Sequence, residues 1–199
     1  MERELITAVI LAGGRARRLG GVDKGLVQLA SRALIEHAAA ALEPQAGTIL
    51  VSANRNPERY AALGFEIMAD PWPDYRGPLA GMLAALRRAH SRYILTAPCD
   101  APLIAPDLAV RLYAAIKDGA RAAVAHDGDR LQPLFSLLDR ELADPLLHWL
   151  EKGGRKAAAW MELCGAAVVD FSDRRDMFVN LNHPEELRAF DISALAQPS

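Results

Sequence analysis

The sequence is poor in cysteine. Cys99 and Cys164 are the two it has, with no CxxC between them, so neither a disulfide framework nor a cysteine zinc site has support. Two free thiols suit a reducing cytoplasm, which is the expected location. Charge of one sign is not in excess either: 23 basic groups against 25 acidic ones leave a formal charge of −2. A protein that grips long nucleic acid by charge needs a basic surplus, so no nucleic-acid partner is expected, while a local basic pocket stays open. No apolar run approaches the ~20 residues that cross a bilayer. Met1-Glu2-Arg3-Glu4 leads directly into a short apolar segment, without the longer stretch and small-residue cleavage site of a signal peptide. No membrane partner is expected. Linkers, repeats and low-complexity tracts are missing too. The chain therefore reads as one domain over 1–190 with a loose tail over 191–199.

What the chain does have is alternation. Residues 6–12 are nearly all apolar and are stopped by Gly13-Gly14, as in a strand buried on both faces. Further strand-like stretches lie at 48–52, 65–69, 93–97, 121–125, 133–138 and 166–170. Between them run helical patterns at 33–42, 57–63, 78–89, from 106 onward, at 143–152, 155–163 and 184–190. Proline opens several of these, at Pro57, Pro78, Pro106 and Pro184. The pattern at 33–42 puts Leu34, Ile35, Ala38, Ala41 and Leu42 on one face. Strands alternating with helices predict an α/β domain with a mostly parallel sheet and helices on both faces. Ligands of such sheets bind beyond the carboxyl ends of the strands, which directs attention to the residues after each strand.

After the first strand comes Gly13-Gly14-Arg15-Ala16-Arg17-Arg18-Leu19-Gly20-Gly21-Val22-Asp23-Lys24-Gly25. Glycines let a backbone approach a ligand, and successive N–H groups in such a turn can surround an anion. Arg18, its neighbouring arginines and Lys24 add charge-assisted bonds suited to phosphate. The segment matches neither common phosphate loop, since GxxxxGK[ST] and GxGxxG both fail. Glycine for approach plus cations for charge reads as a polyphosphate site, against the alternative of a solvated loop.

Acids stand at two other strand ends. Asp100, in Ala97-Pro98-Cys99-Asp100-Ala101-Pro102, is placed to hold Mg²⁺ beside phosphates or, equally on position alone, to cap a turn. Asp70, before Pro71, has the same placement and the same alternative of an Asx turn. Gly77 and Gly81 flank a tight helix entry that could admit a base or phosphate, or serve a close helix–sheet contact. Ser52 and Asn54 lie at the end of the second strand, and Asn180 and Asn182 near the C-terminus. Asparagine there can bond a purine edge or a pterin, or simply cap a turn. His126-Asp127-Gly128-Asp129 reads as a turn rather than a ligand pair. Cys99 reads as a packed thiol, because no histidine with an orienting partner is identifiable for it.

Leu11-Ala12-Gly13-Gly14, Arg18, Gly20 and Lys24 together resemble the signature of the nucleotide-diphospho-sugar transferase-like (pyrophosphorylase) superfamily. The stretch 17–26 is more narrowly similar to molybdenum cofactor guanylyltransferases. So are Ser52-Ala53-Asn54-Arg55, the run 75–82, Pro98-Cys99-Asp100-Ala101-Pro102, His126-Asp127-Gly128, and Phe178-Val179-Asn180-Leu181-Asn182. The matches run in family order from residue 6 to about 190.

The resemblance implies a single Rossmann-like domain around a mixed central sheet, with GTP and Mo-molybdopterin as substrates and Mg²⁺ as cofactor. It also allows partners among other cofactor-biosynthesis proteins and molybdoenzyme chaperones. By that resemblance Leu11, Ala12, Gly13, Gly14 and Lys24 hold nucleotide, Asp70 contacts the guanine nucleotide, Asp100 holds the metal, and Asn180 and Asn182 lie near molybdopterin. Arg18, Lys24 and Asp100 are the catalytic candidates; Ser52, Asn54 and Gly77 join the nucleotide-binding set. Some family members carry asparagine where this chain has Ser52, so a side-chain amide contact would be lost there and a backbone contact kept. The reaction implied moves GMP from GTP to a pterin phosphate and releases pyrophosphate. Rival readings keep the fold and change the base or acceptor, as a cytidylyltransferase on molybdopterin or a sugar-phosphate nucleotidyltransferase, or remove the chemistry, as a nucleotide-binding chaperone of the cofactor.

Overall fold

The computed structural model describes residues 2–13, 23–69, 77–117, 119–181, 186 and 190. A seven-stranded sheet runs through it. Its strands are β1 (Ile6–Leu11), β4 (Thr48–Ser52), β5 (Glu66–Met68), β6 (Tyr93–Pro98), β7 (Ala122–His126), β8 (Leu131–Asp139) and β9 (Ala167–Asp170). The order across the sheet is β5-β4-β1-β6-β8-β7-β9. β8 alone is antiparallel to its neighbours β6 and β7, while the other pairs are parallel. A two-stranded hairpin of β2 (Gln28–Leu29) and β3 (Arg32–Ala33) stands apart.

Helices cover both faces, as the alternation predicts. α1 (Leu34–Leu42), α2 (Pro57–Ala62) and α4 (Leu108–Lys117) pack on one face, against Ala8, Ile10, Leu95 and Ala97. α3 (Pro78–Arg88), α5 (Ala143–Glu151) and α6 (Ala157–Leu163) pack on the other, against Val9, Leu11, Ile94 and Val124. β1 is buried at all six positions because its alternate side chains feed the two cores. Among the described residues no helix is long and apolar enough to cross a membrane.

The structure departs from the sequence reading at several points. In α1 it is Ala39 that is fully buried, while Ala41 is half-buried. The stretch 13–29, expected to be irregular, contains a 3₁₀ turn at Lys24–Leu26 and the first strand of the hairpin. A second 3₁₀ segment, Ser172–Phe178, follows β9. The expected terminal helix at 184–190 and the tail at 191–199 lie outside the described residues, apart from 186 and 190.

The chain between α1 and α4 is held by one buried side chain. Gln45 donates from Nε2 to the carbonyls of Ala41 at 2.8 Å and Ala105 at 3.0 Å. Its Oε1 accepts the Ala109 N–H at 2.9 Å, satisfying a donor in the first turn of α4 that the helix itself cannot pair.

The 127–130 segment is the turn expected of it. Asp127 accepts the backbone N–H groups of Asp129 and Arg130 at 2.8 Å, and the Gln132 amide at 2.6 Å. The Arg130 N–H, helped by the Gln132 amide and the Asp129 N–H, lowers its pKa from an ordinary 3.8 to about 2. A carboxylate depressed in this way stabilises the fold above its unfolded pKa and loses that contribution as pH falls toward about 2. Wild type should therefore exceed Asp127→Asn in stability at pH 5, with the gap closing between about pH 4 and 2 in denaturant titrations. A gap independent of pH would sever the turn from this charge.

Candidate active site

The site follows from register. Leu11, the last residue of β1, lies level with Ser52 on β4 and Pro98 on β6, and Ser52 lies level with Met68 on β5. Four parallel strands therefore end on one line. Two residues beyond these ends come Gly13, Asn54, Asp100 and Asp70 in turn. The first three are described and lie at the same rim; Asp70 falls outside the described residues. The line is extended by Ala12 N–H donating to Ser52 O at 2.8 Å, Ala53 N–H to Met68 O at 3.0 Å, and Cys99 N–H to Leu11 O at 3.3 Å.

At this rim Lys24 and Asp100, 76 residues apart in sequence, form an ion pair of 3.2 Å between Nζ and Oδ2. Their side chains are 26% and 13% exposed, so a ligand can reach both and solvent screens them only in part. The preceding Cys99 is packed inward, and burial pushes its thiol well above the ordinary range. That supports a packed residue rather than a nucleophile.

Lys24 opens the 3₁₀ turn, in which Leu26 N–H donates to Asp23 O and Val27 N–H to Lys24 O, both at 3.0 Å. The turn is set tightly against its surroundings. A Cβ placed on Gly25 would lie 2.8 Å from the Tyr60 hydroxyl and 3.3 Å from Cys99 Cβ. Gly25 was grouped by sequence with glycines that admit a ligand, but here its bareness admits protein. Gly81 behaves likewise, since an added Cβ would meet Ser52 Oγ at 2.5 Å and Leu11 Cδ2 at 3.1 Å. This is the close helix–sheet contact, and it brings α3 down onto the ends of β1 and β4. Gly77, at the start of α3, has φ +78° and open space on its Cβ side. Gly13 is nearly as open, with Asn54 Nδ2 at 4.0 Å.

Asn180 comes to the same rim from the far end of the chain. Leu181 N–H donates to Asp100 O at 3.2 Å, which sets Asn180 beside the Asp100 turn. The segment before it is pinned from outside the site. The Arg111 guanidinium on α4 lies 4.0 Å over the Phe171 ring, pairs with Asp173 at 3.0 Å, and also bonds the Asp170 carbonyl. Phe178 then packs edge-on against Phe135 of β8 at 5.0 Å.

The structure thus gathers Leu11, Ala12, Gly13, Lys24, Ser52, Asn54, Gly77, Asp100 and Asn180 around one end of the sheet. Gly14, Arg18, Asp70 and Asn182 lie outside the described residues. Sequence reasoning passed over Asp23, Tyr60 and Asn56. Asp23 is 4% exposed and accepts from the Tyr60 hydroxyl at 2.8 Å and the Asn56 amide at 3.2 Å. The available signal was a single acid inside a cationic loop.

A metal can be tested against this donor set. Among the described residues no three His, Cys, Asp or Glu side chains cluster as a protein-built cage would require. One carboxylate that reaches solvent at the rim, Asp100, is the donor set expected for Mg²⁺, which keeps water and substrate oxygens among its ligands.

The chain is similar to known proteins. Residues 8–168 match the family described as MobA-like NTP transferase domain. A molybdenum cofactor guanylyltransferase of Shewanella sediminis is 47% identical over 182 residues, covering 91% of this chain and 93% of the relative. The protein of the same name from Shewanella sp. (strain MR-4) is 48% identical over 182 residues, covering 91% and 92%. Among solved structures, molybdopterin-guanine dinucleotide biosynthesis protein A from Archaeoglobus fulgidus is similar with a TM-score of 0.74 at 25% identity, covering 92% of this chain and 95% of its own.

Proposed function

The chain belongs to the MobA-like NTP transferase family, and from that premise we infer that it transfers GMP from GTP to the terminal phosphate of Mo-molybdopterin and releases pyrophosphate. Within the molecule, the observation that carries this reading is the Lys24–Asp100 pair at the common line of strand ends.

A pterin phosphate oxygen attacks the α-phosphorus of GTP, the new P–O bond forms, and the bond to the β-phosphate oxygen breaks. The attacking oxygen is anionic at neutral pH, so no strong base is required, and the described rim offers no nucleophile–base pair. Repulsion between the two anions is the larger obstacle, at about 4 kcal/mol per pair of unit charges ~4 Å apart in an effective dielectric near 20. The bare Gly13 backbone at the rim lets a phosphate approach closely, and Lys24 supplies a cation to the triphosphate and the departing pyrophosphate. Asp100 would hold Mg²⁺. When bound, that ion would neutralise phosphate charge and steady the leaving group. With substrate and metal bound, Lys24 would face phosphate and Asp100 would face the metal. Asn180, beside the Asp100 turn, and Asn182 are assigned to the pterin side, and Asp70, Ser52 and Gly77 to the guanine nucleotide. Arg18 is assigned to the triphosphate. GTP, molybdopterin and the proteins that pass the cofactor onward are the partners this reading implies.

Two measurements test it. GTP with Mg²⁺ should protect the protein against thermal unfolding far better than CTP, UTP or ATP. A ligand at ~100 times its Kd adds about 2.7 kcal/mol, or roughly 5–10 °C for a chain of this size. Preferential protection by CTP would make it a cytidylyltransferase instead. Purified protein given GTP and Mo-molybdopterin should also release pyrophosphate; protection without release would make it a nucleotide-binding chaperone.

A further inference from the structure

We propose that Asp23, gripped by the Tyr60 hydroxyl and the Asn56 amide, is a positioning residue that aims Lys24 at the reacting phosphates. The inference rests on the role given to Lys24 above and assigns a task to three side chains outside the substrate-binding set. Asp23 is a buried acid in the turn next to Lys24. Burying a carboxylate is costly unless donors meet it, so a carboxylate retained there fixes its surroundings firmly once met. Both of its oxygens are met: Oδ1 by Tyr60 at 2.8 Å and Oδ2 by Asn56 at 3.2 Å. Burial, reinforced by the neighbouring Cys99 and Asp23, pushes the Tyr60 hydroxyl far above its ordinary range, so it remains a donor.

Asn56 supplies an independent sign. It holds the N-cap position of α2 with a left-handed backbone, φ 46° and ψ 40°, yet its side chain caps nothing in that helix. An N-cap asparagine ordinarily pairs the first free N–H groups of its own helix. This one is directed across to Asp23 instead. On the other side of Lys24, the bare Gly25 lies against the same Tyr60 ring and against Cys99, the residue before Asp100. Lys24 is therefore held on both flanks by a frame that also carries its ion-pair partner, while its own ammonium stays at the rim. A cation acting on a phosphorane-like transition state needs placement within about half an ångström, and fixing its backbone on both sides provides that.

The test is a double-variant cycle on the full chain, using pyrophosphate release from GTP and Mo-molybdopterin together with melting curves. Tyr60→Phe keeps the ring and removes the donor; Asn56→Gly keeps the left-handed backbone and removes the amide. Tyr60→Phe should lower kcat about tenfold with the KM for GTP changed less than about threefold, and Asn56→Gly should do so less strongly. In a Lys24→Ala background the same changes should cost under about twofold in rate, because the group they position is gone, while the fall in melting temperature persists. Equal losses in both backgrounds would mean an anchor with no tie to Lys24 and would overturn the proposal. Asn56→Gly carries the same comparison should Tyr60→Phe melt without cooperativity. Full turnover in Lys24→Ala alone would remove the assignment of Lys24, and the clamp with it; strong dependence on Lys24 with independent losses removes the clamp only.

Discussion

Lys24→Ala is expected to lower kcat/KM for guanylyl transfer by roughly two or more powers of ten while moving the melting temperature little. The two halves of this statement come from different magnitudes. A preorganised donor that meets charge developing in a transition state is worth about 2.7–4 kcal/mol. A partly exposed ion pair such as Lys24–Asp100 is worth only ~0–1 kcal/mol to the fold, and Asp100 keeps access to water when its partner is removed. Catalysis should suffer where stability does not. Steady-state pyrophosphate release beside a melting curve measures both, and a near-normal rate in the folded variant would take Lys24 out of the mechanism.

The opposite profile is expected far from the rim. Gln45→Ala should cost roughly 2 kcal/mol, because the Ala109 N–H is left buried without its partner, at about 1–3 kcal/mol for such a group, while the Ala105 carbonyl keeps the Leu108 N–H. For a chain near this length that is a fall of about 4–8 °C in melting temperature. Gln45→Leu should fall similarly, since it restores volume and no hydrogen bond. Below the transition both variants should turn over GTP near the wild-type rate, as Gln45 lies at the α1–α4 junction and not at the strand ends. A shift under about 2 °C would show that water replaces the amide there.

How far these features can be read from residues alone depends on how locally each is caused. The strands that end in Leu11, Ser52 and Pro98 are written in short apolar runs, and Pro57 and Pro78 open α2 and α3 where their fixed φ suits a first turn. The rule that ligands sit past parallel strand ends then led directly to Gly13, Asn54 and Asp100. The β2–β3 hairpin could not be found that way. Each strand has two residues, too few for a period, and its turn places Ala30 and Ser31 at φ 50° and 68° where an Asn-Gly pair would have announced it. Ser172–Phe178 has no periodic pattern to announce it, because Arg111, which organises it through the Phe171 ring and Asp173, lies about 60 residues earlier. Tyr60, in the six-residue α2, has no local signal for its task, because its partner Asp23 is 37 residues away. The family resemblance named the rim residues and was silent on those behind them.

The common line of strand ends carries a consequence for how such a site can vary. Gly13, Asn54 and Asp100 owe their places to the phase in which three chains cross one another, rather than to contacts among themselves. Exchanging one core aliphatic for another leaves that phase alone. Deleting or adding a single residue within β1, β4 or β6 shifts one column against its neighbours by a pleat and turns its terminal side chain toward the opposite helix layer. Rim loops that carry no placed side chain can therefore lengthen and diverge, unlike the fitted Lys24 turn, while the strand lengths beneath them act as a ruler that divergence leaves untouched.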